Sequence, residues 1–181
     1  IVTVVDHKGN FLARGYWNHK SAIQVRILIW QDEPIDEAWW RKMLKRAIDL
    51  RFVQNTHWGT FFKNPSYRLI NAENDFLPGL VVDRYDNWLV IQALTLYIDQ
   101  NKATLAQYLV DMLKSIVSIQ GVYERSDVDV REKEGLRQYK GLLWGEEPPM
   151  FIPINDGGAK ILVDVRNGHK TGYYLDQAQN R

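Results

Sequence analysis

Residues 67–94 read Y-R-L-I-N-A-E-N-D-F-L-P-G-L-V-V-D-R-Y-D-N-W-L-V-I-Q-A-L. Three short apolar runs, Tyr67–Asn71, Leu80–Asp83 and Trp88–Leu94, are bounded by turn residues, which is the pattern of strands. Asn74-Asp75-Phe76-Leu77-Pro78-Gly79 makes the first reversal, and Tyr85-Asp86-Asn87 predicts a hairpin between the second and third runs. The spacing then changes. From about Asp99 to Val117, Leu105, Leu109, Met112, Leu113 and Ile116 recur on one face at helical intervals. Gly121–Arg125 returns to strand character, and Ser126–Leu136 is densely charged. Gly141–Pro149 reads as a Gly/Pro-rich loop. Phe151–Asn155 and Ala159–Val165 read as a second hairpin around Asp156-Gly157-Gly158. Strands, one long helix, a strand and a hairpin define an α+β fold.

Working back toward the start, Gln54–Pro65 carries Asn55, Gly59, Asn64 and Pro65 and is read as a linker. Asp36 to about Phe52 is a helix, with Asp36 as N-cap and Glu37 in the first turn. Trp40, Met43 or Leu44, Ala47 and Leu50 give its apolar spacing. Its polar face holds Arg41, Lys42, Lys45, Arg46 and Arg51, either a solvated face or a phosphate-facing stripe. Ile1–Val5, Phe11–Gly15 and Ile23–Trp30 read as three strands of a small, incomplete barrel. An edge this apolar is an aggregation hazard alone, so preceding residues are expected to complete it.

Composition narrows the function classes. The chain has 181 residues, net charge +1 and no cysteine. It does not coat nucleic acid electrostatically, so any basic surface is local. Disulfides, thiolate metal sites and a cysteine nucleophile are excluded within these residues. No apolar run is long enough to span a membrane. His7, His19, His57 and His169 are scattered, which predicts no metal site. Walker, dinucleotide-binding and nucleophile-elbow motifs are missing.

Two stretches are dense in chemistry. In Tyr123–Leu136, Arg125, Arg131 and Lys133 either form an internal ion-pair cluster or contact phosphate. The final sixteen residues read R-N-G-H-K-T-G-Y-Y-L-D-Q-A-Q-N-R. His169-Lys170-Thr171-Gly172 is expected to turn with Gly172 at positive φ. Tyr173 and Tyr174 then stack on a base or adenine, or else they are core residues of a strand-to-helix transition. Gln177 offers a donor and an acceptor.

Arg68–Arg84 resembles the pattern R-L-I-x-x-E-x-D-x-L-P-G-L-x-x-D-R. Tyr123–Leu136 resembles Y-x-R-S-D-x-x-x-R-x-x-E-G-L, and the tail resembles G-x-K-T-G-x-Y-L-D-Q-R-x-N-R. In this order the three motifs are similar to the bacterial S-adenosylmethionine-dependent methyltransferases that methylate carbon 5 of a cytosine in large-subunit ribosomal RNA. The resemblance implies a PUA domain, a central α+β domain and a Rossmann-like catalytic domain.

On that resemblance, residues 1–32 are the back part of a PUA-like β-barrel and 33–65 a helix and linker. Residues 66–165 are a central α+β domain of antiparallel strands with one long helix, and 166–181 lead into a catalytic domain absent from this chain. Lys170, Tyr173, Tyr174, Asp176 and Gln177 would lie at the S-adenosylmethionine site. Arg14, Lys20, Arg26, Arg41, Lys45, Arg131 and Lys133 would contact ribosomal RNA. The chain departs from the tail pattern at Ala178, where the family has Arg, and matches it at Arg181. The cysteines of the chemistry would lie beyond Arg181, so these residues alone are expected to be inert. The resemblance further implies a cytoplasmic protein, with a homodimer as one arrangement. A stand-alone RNA-binding module of PUA type is the alternative.

Overall fold

The computed structural model describes residues 1–57, 66–156 and 158–175, with the backbone alone for 52–57. It is α+β and, among the described residues, holds three sheets. The first is antiparallel, β1 (Val2–Val5), β2 (Phe11–Trp17) and β3 (Val25–Ile29) in that order. At Gly15, beside the β2–β3 register shift, any added Cβ would collide with the Arg26 carbonyl, so only glycine lets the strands approach there.

Helix α1 spans Glu37–His57. Asp36 caps it as the sequence predicts: its Oδ1 accepts from the Trp39 N–H at 2.9 Å. Trp39, Trp40, Met43, Leu44, Ala47 and Ile48 form the buried stripe. Leu50, read as a core position, is 44 % exposed, because Ile48 occupies the inward position of that turn. The linker read at 54–65 begins inside this helix, and 58–65 lie outside the described residues.

The central sheet runs β4 (Tyr67–Asn71), β5 (Leu80–Tyr85), β6 (Trp88–Ala93), β7 (Gly121–Ser126) and β8 (Tyr139–Gly145), in sequence order. The β5–β6 hairpin turns at Asp86, whose φ of 53° suits a two-residue reversal. Two expectations are corrected. The strands are not all antiparallel: β6 and β7 run parallel, with α2 (Leu96–Leu113) between them in sequence. And Gly141–Gly145 is not loop but part of β8, paired with β7. Its glycines lowered strand propensity, but the ladder to β7 prevails over that weak preference.

The sheet separates two cores because strand residues alternate between faces. Leu80, Val82, Leu89, Ile91 and Val122 face α1 and α2. Tyr85, Trp88 and Val90 face the opposite way, toward the hairpin β9 (Ile152–Asp156) and β10 (Ala159–Val163). The first core also takes in Tyr16 and Leu28, so the N-terminal sheet shares it rather than standing apart. Tyr16 stacks on Tyr97 at 5.2 Å, and Tyr97 on Trp40 at 5.8 Å. The buried Tyr16 hydroxyl donates to the Pro78 carbonyl at 2.8 Å. No helix among the described residues is long and apolar enough to cross a membrane.

Candidate functional site

Residues 166–175 lie against the hairpin side of the central sheet, where Tyr173 and Leu175 pack on the second core. Strand alternation aims Arg125 that way and Glu124 toward the helices. Arg125 is 5 % exposed and acts as a clamp. One terminal nitrogen donates to the Val165 carbonyl at 2.9 Å, the other to the Gly168 carbonyl at 3.0 Å, and Nε to Asp127 at 2.9 Å. Burial pushes the Asp127 carboxyl up, but the bonds from Arg125 outweigh that and hold it below its ordinary value. Asp164 accepts from the N–H groups of Arg166 and Asn167 at 2.9 Å each, fixing the turn that starts the tail.

A second chain of bonds runs under the tail. Arg68 grips Asp83 through Nε at 2.8 Å, and Asp83 accepts from the fully buried Thr171 hydroxyl at 2.6 Å. Thr171 Oγ1 is 2.9 Å from the Tyr85 hydroxyl, which in turn accepts from the Tyr173 N–H at 3.2 Å. Burial first, and the Asp83 charge second, push the Tyr85 hydroxyl well above its ordinary pKa, so it stays protonated. Gly172 has φ +139° and donates to the His169 carbonyl at 2.8 Å, the expected turn; Lys170 is also left-handed, at 54°.

This geometry divides the candidate donor-site residues. Tyr173 is partly buried against the second core, and its hydroxyl donates to Asp156 at 3.0 Å, so it is less open than the stacking surface the sequence suggests. Tyr174 is 41 % exposed, with the Lys170 ammonium 4.3 Å above its ring and the His169 ring 6.2 Å away. Tyr174 and Lys170 therefore present an aromatic face and a cation together. Asp176 and Gln177 lie outside the described residues, as do Ala178 and Arg181.

The candidate RNA contacts differ in exposure and in what they pair with. Arg131 is a correction: it is 2 % exposed, and its donors go to the Ala93 and Arg137 carbonyls and to Asp99 at 2.9 Å. With Lys102 it surrounds Glu124, which has no exposed surface, so its guanidinium has no face to offer phosphate. Arg26 is half-buried between Glu134 at 3.0 Å and Glu73 at 3.6 Å. Arg14 pairs with Asp32. Arg41 pairs with Glu37 and lies 4.2 Å over the Tyr108 ring; Lys45 pairs with Asp49. Lys20 and Lys133 are exposed.

Sequence reasoning missed the weight of Glu134. It is 3 % exposed and accepts from Ser21 Oγ at 2.5 Å, Asn18 Nδ2 at 3.0 Å and Arg26 at 3.0 Å, joining the N-terminal sheet to the central domain. Burial raises its pKa, and these three donors more than reverse the effect. Its place in the E-G-L motif was the available signal. Among the described residues no cluster of His, Cys, Asp or Glu is arranged to hold a metal.

The architecture is that of a three-stranded sheet docked on a mixed α+β domain. A PUA-like domain family matches residues 1–30. Two solved structures share the fold across 99 % of this chain and 43 % of their own. One is from Streptococcus mutans and named a putative SAM-dependent methyltransferase, with TM-score 0.77 and 19 % identity. The other is a putative methyltransferase complexed with SAH, with TM-score 0.79 and 18 % identity. At such identities the likeness concerns the fold. Curated relatives are nearer. Ribosomal RNA large subunit methyltransferase I of Photobacterium profundum is 46 % identical over 183 residues, and those of Salmonella arizonae and Erwinia tasmaniensis are 39 % and 41 % identical. These cover 99 % of this chain, which spans 43–44 % of the length of the relatives.

Proposed function

We propose that this chain is the RNA-docking and donor-site entry portion of an S-adenosylmethionine-dependent methyltransferase acting on cytosine C5 of large-subunit ribosomal RNA. The observation that carries this is the identity of 46 % to a large-subunit ribosomal RNA methyltransferase, running through 99 % of the chain and all three motifs. Residues 1–30 dock RNA, the central domain is the rigid bracket, and Arg166–Leu175 enters the donor site. Such an enzyme works in the cytoplasm, where ribosomal RNA is modified.

The residues present fit part of the methyl donor. The open ring of Tyr174 suits its adenine, and Lys170 suits its carboxylate. Tyr173 supports them from below through the second core. The donor, when bound, supplies the methyl group; the residues here hold and orient it. These 181 residues contain no cysteine, so the thiolate that attacks a pyrimidine at C6 is not theirs to supply.

The test is binding by the chain itself. A structured ribosomal RNA hairpin should bind weakly and with a marked salt dependence. No binding at low salt removes the docking role. Calorimetry with S-adenosylmethionine should show nothing tighter than about millimolar. Micromolar affinity would mean these residues build a full pocket rather than one wall.

A further inference from the structure

On the opposite side of the central sheet from the tail, the end of β3 and the start of α1 leave a groove of about 360 Å³. Trp30, Trp39, Lys42, Met43, Arg46 and Phe76 line it. Its volume is that of a small-molecule or single-nucleotide site. Trp30 is 60 % exposed and Phe76 42 %, so two aromatic rings border the opening with much of their surface in water. Phe76 holds a left-handed φ of 59°, which is unusual for a bulky side chain, and this puts its ring 4.8 Å beneath the Arg46 guanidinium. Lys42 is neutralised by Glu33 at 2.9 Å, whereas Arg46 has no carboxylate partner among the described residues. The cation left over calls for an anionic occupant, and the rings call for a flat one.

We propose that this groove is an anchoring site for one unpaired nucleotide of an RNA, its base stacked between Trp30 and the Phe76–Arg46 pair and its phosphate on Arg46. Unpaired bases stack on aromatic rings and guanidinium planes in this way. The proposal rests on the RNA-docking reading above and adds a site to it, remote from the donor wall.

The experiment is fluorescence anisotropy of the chain with a labelled oligoadenylate of about eight nucleotides, across a salt series. Trp30→Ala should weaken binding roughly 5- to 150-fold, the range of one lost stacking contact. Arg46→Ala should lower the salt slope by about 0.7. Phe76→Gly removes the ring but relieves the left-handed backbone, so affinity should fall while the melting temperature does not. Wild-type affinity in Trp30→Ala and Phe76→Gly, with the parent chain binding, overturns the site and leaves the docking role standing. A parent chain that binds the hairpin but not the oligomer does the same. Binding to neither overturns both. A shift in oligomeric state in place of lost RNA affinity would make the groove a protein interface and overturn the proposal.

Discussion

Replacing Glu134 tests whether the N-terminal sheet and central domain are one cooperative unit. Glu134→Ala removes a buried carboxylate and leaves the Ser21 hydroxyl, at 6 % exposure, without its acceptor, while Asn18 Nδ2 keeps the Glu134 main-chain carbonyl at 2.9 Å. Arg26, whose side chain is 20 % exposed, keeps only the more distant and exposed Glu73. Removing one partner of a buried ion pair costs about 3–5 kcal/mol. Partial hydration of Arg26 favours the lower end. The orphaned Ser21 hydroxyl, at about 1–3 kcal/mol if unrelieved, favours the upper end. The expected loss is about 4 kcal/mol, read by urea denaturation followed through tryptophan fluorescence. Glu134→Gln keeps an acceptor and should lose less. The pH dependence has a definite sign. The folded-state pKa lies below the ordinary 4.5, so the contribution is present above that value and lost as pH falls through the lower, folded one. The difference between parent and Glu134→Gln should therefore shrink on acidification below about pH 4.5. A loss under about 1 kcal/mol for Glu134→Ala would mean that the two parts are held by apolar packing alone and would refute the argument. So would a two-phase unfolding curve in the parent.

Three further outcomes follow from the same contacts. Arg125→Ala should cost about 3 kcal/mol and speed hydrogen exchange in residues 166–172, since two tail carbonyls lose their donor, while hairpin RNA affinity changes little; the reverse ranking would make Arg125 a phosphate contact. Thr171→Val should cost about 1–3 kcal/mol in thermal melts, because Asp83 loses a buried donor of the same shape. Gly79→Ala should lower stability by more than about 1 kcal/mol: φ is +80°, and an added Cβ would collide with the Thr95 side chain.

The three sequence motifs take on a different meaning once folded. They read as lines of functional residues, yet several of their described polar side chains are buried. Arg68 and Asp83 pair beneath the tail, Asp75 holds Arg51 of α1 at 2.7 Å, and Ser126 accepts from the Ala93 N–H at 2.9 Å. Arg125, Arg131 and Glu134 each join segments far apart in the chain. Among the open parts of the candidate sites, Lys170 and Tyr174 are letters of the tail motif whereas Trp30 and Phe76 are not, and their openness follows from which faces the core leaves uncovered.

The sequence by itself determined the element types and most of their order. Local rules govern these features: the Asp36 cap, the Asp86 turn, and the helical spacing of Leu105, Leu109 and Leu113. It also determined what chemistry is excluded, since the lack of cysteine needs no fold to interpret. Tertiary structure alone decided three things. It made β6 and β7 parallel, because strand direction is set by where a helix returns the chain and not by the strand residues themselves. It separated Tyr173 from Tyr174, adjacent in sequence, into core support and open ring. And it turned Arg131 from a basic surface candidate into a buried tie, because whether a charge meets water or a carboxylate depends on partners more than thirty residues away, here Asp99 and Ala93.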